Sequence, residues 1–147
     1  MNPLQSHSNR AQDGFTLIEV LVVCLIVAAL AAIALPIFLN QQEKAQDADA
    51  KSNARNLVSH IEACQASTED YTACDTVSEL GTTGIPTVDG APTADATVGV
   101  AAAARNTFTV TAQSRHSSAT FSIRRTVAGN LVRECSGPGG GCVNNSW

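Results

Sequence analysis

Residues 20–39, VLVVCLIVAALAAIALPIFL, place twenty side chains in a row with no charge and no amide. At about 1.5 Å of rise per residue, a helix of this length spans roughly the 30 Å hydrocarbon core of a bilayer. Such a run has to be buried in lipid, against sister helices or in a core. The third option is poorly supplied here, because only 4% of the 147 residues are aromatic and the remaining chain can build only a small core. One ionisable group stands at the edge of the run, Glu19. An acid within a membrane helix is disfavoured by about 2.5–3.5 kcal/mol at the bilayer centre, and by less near an interface. A carboxylate snorkelling to the headgroups is the plain reading of Glu19, while a functional acid is the default reading of an intramembrane ionisable residue.

Around the run the pattern is directional. The stretch before Gly14, MNPLQSHSNRAQD, is polar, short and aperiodic, and reads as a leader that is removed. A secretory signal is the competing reading, since Ala29-Leu30-Ala31 and Ala32-Ile33-Ala34 offer small-x-small cleavage sites. Against it, the run starts with an acid and passes without a polar break into NQQEKAQDADAKSNARNLVSHIEAC, which is rich in helix formers and free of Gly and Pro. Ala50, Ala54, Leu57, Val58, Ile61 and Cys64 recur there at steps of three and four, the mark of one buried stripe. One helix is therefore expected from about residue 15 to about 64, with Pro36 removing a backbone bond and bending the axis.

Beyond Cys64 the chain turns to Thr, Gly, Pro and Asp and reads as a loop with a short turn. Strands follow. TFTVTA sets Phe108, Val110 and Ala112 on one face, and ATFSIRR does the same with Phe121 and Ile123. SRHSS is the turn between them, NLVRE adds a strand, and residues 98–103 supply a further one, weakened by alanine. The expected class is α+β: a small antiparallel sheet of three or four strands, its apolar face covered by the amphipathic half of the long helix. The organisation read from this is residues 1–14 as leader, 15–40 as membrane-spanning helix, 41–64 as amphipathic helix, and 65–147 as an exported loop and sheet domain.

Four of five cysteines lie in the polar part, as C-x9-C (Cys64, Cys74) and C-x6-C (Cys135, Cys142). An even number at short spacing predicts two local disulfides and an oxidising compartment. The rival, a zinc site, usually takes close C-x2-4-C pairs, which this part lacks. Charge is segregated. Residues 40–95 carry ten acids against three bases, a sum of −7, whereas residues 96–147 carry five arginines against Glu134, a sum of +4. A solvated surface is the plain explanation, and packing of identical copies, acidic face to basic face, is the sharper one.

The enzymatic readings find little support. His7, His60 and His116 are scattered, and an even disulfide count disfavours a cysteine nucleophile. Asp89, Gly90 and Asp95 do not have the spacing of a calcium-binding helix-loop-helix, and the glycines between Ser136 and Cys142 lack the Lys-Ser/Thr end of a phosphate loop. Asn144-Asn145-Ser146 fits a glycosylation sequon too short to carry weight. No cofactor and no metal is expected. A membrane-tethered enzyme thus lacks a visible catalytic arrangement, and a secreted binding module released near Ala32 or Leu35 remains the rival from another class.

The residues preceding the run give Glu19 a partner. If the chain is cut after Gly14, Phe15 acquires a charged amine four residues before Glu19, and the amine of one copy can meet the glutamate of another in apolar surroundings, where either alone would be costly. GFTLIEVLVVCLIVAALAAIALPIFLNQ resembles, in its order of residues, the N-terminal segment of the type IV pilins and pseudopilins. The resemblance implies cleavage between Gly14 and Phe15 by a prepilin peptidase, N-methylation of Phe15, an assembly role for Glu19 and a helix bend at Pro36. It further implies a single-pass precursor in the inner membrane, lifted by an assembly ATPase and platform machinery into a helical filament of identical subunits at the cell surface. In one respect the chain departs from the family: the residue beside Gly14 is Asp13, where a basic residue is usual, and Arg10 is the leader's basic side chain. A type II secretion or competence pseudopilin is the alternative within the family. Adhesion, motility, export and DNA uptake are all uses of this scaffold, and no residue singles out DNA as a partner.

Overall fold

The computed structural model describes residues 14–115, 118–137 and 141–147. Residues 1–13, His7, Arg10 and Asp13 among them, and His116 lie outside that set. The chain divides into two compact units, the first ending at Ile37 and the second beginning at Phe38. Helix α1, Leu17–Thr68, contributes to both and contains Pro36.

In the first unit every large apolar side chain is at least half exposed or nearly so, from Phe15 at 84% to Val22 at 46%. The helix is long and apolar enough to cross a membrane. An apolar surface of this extent marks contact with lipid or with other protein.

The second unit is a helix laid on a sheet. α1 buries Asp47, Ala50, Ala54, Leu57, Val58 and Ile61, the expected stripe with an acid added at its start. Five strands follow: β1 (Thr87–Val88), β2 (Val98–Ala104), β3 (Thr107–Gln113), β4 (Thr120–Arg125) and β5 (Leu131–Ser136), arranged in sequence order. Neighbours from β2 to β5 are antiparallel. Across the β3–β4 pairing Val110 stands opposite Ile123 and Ala112 opposite Phe121, and these four and Phe108 are buried with Leu57 and Ile61 in one core. Ala50 and Ala54 are buried in the same core.

Two features differ from the sequence reading. The sheet has a fifth strand, β1, which pairs parallel to β2; with two residues it carries no alternation from which to be read. The segment after α1 is more ordered than a loop, holding a 3-10 turn at Tyr71–Ala73 and a one-turn helix α2, Val77–Leu80. The Ser114 N–H donates to the Ala119 carbonyl at 2.8 Å between β3 and β4, and residues 116 and 117 of the SRHSS turn lie outside the described residues. β2 forms over the alanine-rich stretch and carries an irregularity between Val100 and Ala102, which interrupts its alternation.

Both predicted disulfides are present, Cys64–Cys74 and Cys135–Cys142. The first ties the 3-10 turn to the end of α1. The second closes the C-terminal segment, which is also held to α1 directly: Lys51 Nζ donates to the Gly141 carbonyl at 2.6 Å, and the Gly141 N–H donates to Asp47 Oδ2 at 3.2 Å. Asp47, counted in the sequence among the surface acids, is 1% exposed and belongs to this clamp.

Part of the charge segregation is resolved inside the chain. Arg125 Nη1 donates to Glu62 Oε1 at 2.7 Å, and the Tyr71 hydroxyl donates to Glu62 Oε2 at 2.8 Å, so the basic and acidic halves meet at one carboxylate. Burial, the hydrogen bond to Glu62 and its negative charge together push the Tyr71 hydroxyl up to about 12. An unfolded tyrosine ionises near pH 10. The folded state therefore holds this proton more tightly, and the resulting stability is complete below about pH 10 and is lost as pH climbs toward 12. The chain has one tyrosine, so the absorbance change of tyrosinate formation reports this group alone. The native protein should form tyrosinate near pH 12 in step with unfolding, and Glu62→Gln should bring the transition closer to pH 10. A native transition at pH 10 would show that the triad does not form.

Candidate functional site

The candidate site lies at the start of the first unit. Gly14, Phe15 and Thr16 are outside the helix, which starts at Leu17. Thr16 acts as its cap: the Glu19 N–H donates to Thr16 Oγ1 at 3.3 Å, and the Val20 N–H reaches the Thr16 carbonyl at 3.3 Å. Thr16-x-x-Glu19 is the pattern of a capping box, of which this bond is one arm. The signal was in the sequence, and Thr16 is a capping residue that the resemblance alone did not bring forward.

The other arm is not made. Among the described residues the Glu19 carboxylate has no hydrogen bond or ion pair. It stands in the first turn of α1, where the helix dipole favours negative charge. Chemically, an acid on an oily rod, four residues from the Phe15 nitrogen and unpaired among the described residues, can neutralise a cation brought by another molecule.

Gly14 is permissive for a different reason from most glycines. Its φ is not in the left-handed region, and a Cβ built on it meets nothing within 4 Å. Folding does not require glycine at this position, so any requirement for it has to come from something that binds the chain there.

The remaining candidates do not converge. Cys24 is an exposed free thiol in the first unit. In the second, His60 is half-buried, and Asp89 Oδ1 accepts the Val77 N–H at 2.6 Å, capping α2. Among the described residues no group of three or more His, Cys, Asp or Glu could hold a metal. Of the Ser136 to Cys142 segment, Gly141 is bonded to α1 and Cys142 to Cys135, and residues 138–140 lie outside the described residues.

A family model described as the prokaryotic N-terminal methylation motif matches residues 9–35. The chain is 34% identical over 76 residues to the type IV major pilin protein PilA of Myxococcus xanthus strain DK1622. That match takes in 52% of this chain and 34% of the relative, so the chain spans about a third of the length of the curated protein it resembles. No solved structure matches it. The methylation motif lies over Gly14, Phe15 and Glu19, a long apolar helix continues from it, and that helix packs on a mostly antiparallel sheet with two disulfides. In these features, and in its two matches, the chain is similar to the type IV pilins.

Proposed function

We propose that the chain is a structural subunit of a type IV pilus. A prepilin peptidase cuts between Gly14 and Phe15 and the Phe15 amine is methylated. Before assembly the apolar helix holds the subunit in the inner membrane, with the sheet-bearing unit exported, where its disulfides form. An assembly ATPase and its platform then extract subunits into a surface filament. There the Phe15 ammonium of one copy meets Glu19 of another, away from water, and fixes the stagger of the helices. Pro36 removes one bond from α1 and gives the rod a place to bend as it packs.

One observation carries this reading: Glu19 heads the exposed apolar stretch of α1, and its carboxylate has no partner among the described residues of its own chain. The similarity to a major pilin supports a pilus over a pseudopilus.

The test is the N-terminus of the protein recovered from sheared filaments. Mass spectrometry should find it beginning at Phe15 with one methyl group on nitrogen. A start near Ala32 or Leu35, or full-length chain in the filament, would remove the assignment.

A further inference from the structure

We propose that the sheet-bearing unit docks edge to edge on a second copy of the chain, the cation-ringed Trp147 beside β5 receiving the acidic turn beside β1. This rests on the filament reading and names the surface by which its subunits touch.

At the β5 edge, Trp147 is seated by its indole N–H on the Glu134 carbonyl at 2.9 Å and by an edge-on contact with Phe121. Three cations surround the ring: Arg55 at 5.0 Å, Arg133 at 5.4 Å and Lys51 at 5.7 Å from its centroid. The aromatic face attracts each of them but does not cancel their charge. Lys51 is also bonded to the Gly141 carbonyl. Arg55 and Arg133 are exposed, and neither joins an ion pair among the described residues. The adjacent acid, Glu134, alternates to the other face of the strand and is taken by Arg124 at 3.4 Å.

The opposite edge has the opposite sign. Asp89 directly follows β1 and bonds the first N–H of α2, while Glu79 accepts the N–H groups of Asp75 and Thr76 at 3.2 and 3.1 Å. Asp75, Glu79 and Asp89 are thereby gathered at one turn, and no cation pairs with them among the described residues. The bonds from Thr76 hold the Glu79 carboxyl below its ordinary range, so its charge is kept.

Geometry selects an identical copy as the occupant. Four inter-strand spacings of about 4.8 Å place β1 and β5 roughly 19 Å apart, whereas mobile ions screen exposed charges over about 8 Å. One chain cannot neutralise its two edges with each other. Unlike edges on one subunit define a heterologous contact, and when such a contact does not close into a ring it generates a helical filament. Tyr71, Glu62 and Arg125 complete their network inside the chain and so are not offered to a second copy.

Charge reversal tests this in cells making the full chain. Arg55→Glu with Arg133→Glu should leave leader removal unchanged and lower filament-borne subunit about ten-fold. Asp75→Arg should act in the same direction, and all three together should recover most of the loss. A second measurement uses Arg133→Lys and a zero-length carbodiimide. The new amine should couple to Asp75, Glu79 or Asp89 of another copy, since it cannot span the width of its own sheet. Full assembly of the arginine-reversed chain would overturn the proposal. So would loss without recovery together with absence of that cross-link, or a cross-link to a different protein. If the wild-type chain makes no filament, the filament reading falls, and the same cross-link in purified full chain in detergent still decides the edge contact.

Discussion

Glu19→Ala should be processed normally and yet be almost missing from filaments. The substitution leaves Gly14 and Phe15 untouched, so the peptidase still finds its site, but the Phe15 ammonium of each incoming subunit has no counter-charge in the packed helices. Breaking a buried ion pair by removing one partner costs about 3–5 kcal/mol, and each ~1.4 kcal/mol is a factor of ten in an equilibrium. Incorporation should therefore fall by more than about a hundred-fold, read as the ratio of sheared filament to membrane-held mature subunit. The competing explanation is local, because Glu19 stands at the acidic position of the Thr16 capping pattern, although only its backbone N–H is bonded there. Loss of a cap costs only about 0.5–2 kcal/mol. Glu19→Gln separates the two, since glutamine serves in a capping box but carries no charge. If the glutamine variant assembles like the wild type, ion pairing between copies is the wrong account of this residue.

The second large effect is expected from a side chain that is not there. A Cβ on Gly99 would lie 2.1 Å from the Gly90 carbonyl oxygen and 2.6 Å from that of Val88. Both are backbone atoms, fixed by the parallel pairing of β1 with β2 in which Val88 is opposite Gly99. Neither can rotate away as a side chain would, so Gly99→Ala has to displace β1. Overpacking of this kind costs about 1–3 kcal/mol and more when the backbone is forced, and we expect about 3 kcal/mol, roughly 10 °C in thermal midpoint for a unit of this size. The full-length chain melted in detergent gives the measurement. Gly14→Ala is the control: with an ordinary φ and open space around it, it should leave the midpoint unchanged. A Gly99→Ala chain as stable as the wild type would mean that β1 is not seated on β2.

These two glycines show where the sequence was readable. Both are written in the chain, but only the order of residues around Gly14 could be interpreted, because the pattern Gly-Phe-Thr-Leu-Ile-Glu is local and contiguous. Gly99 takes its meaning from residues 88 and 90, which approach it only after the sheet has formed. A glycine within a strand pattern is a sign of close backbone approach, yet nothing nearby says what approaches.

The same division runs through the second unit. Ala50, Ala54, Leu57, Val58 and Ile61 were legible as a buried stripe since helical period is a property of neighbours in sequence, and so were Phe108, Val110 and Ala112 on a strand of period two. Cysteines seven and ten positions apart could find each other because short loops close readily. Asp47 could not be placed in that way. An acid at a stripe position reads as surface, and its burial depends on an N–H ninety-four residues away.

Taken by itself, the sequence determined that an oily helix with an acid at its head precedes a small disulfide-closed α+β unit, for every one of those features follows from local order, period or spacing. Only the tertiary structure decided that Glu62 would be spent on Arg125 and Tyr71, and that Trp147 would gather Arg55 and Arg133 at one edge of the sheet while Asp75, Glu79 and Asp89 gathered at the other. Net charge and composition are sums over the chain. Which charges find partners within it depends on distances that strand order and register alone set.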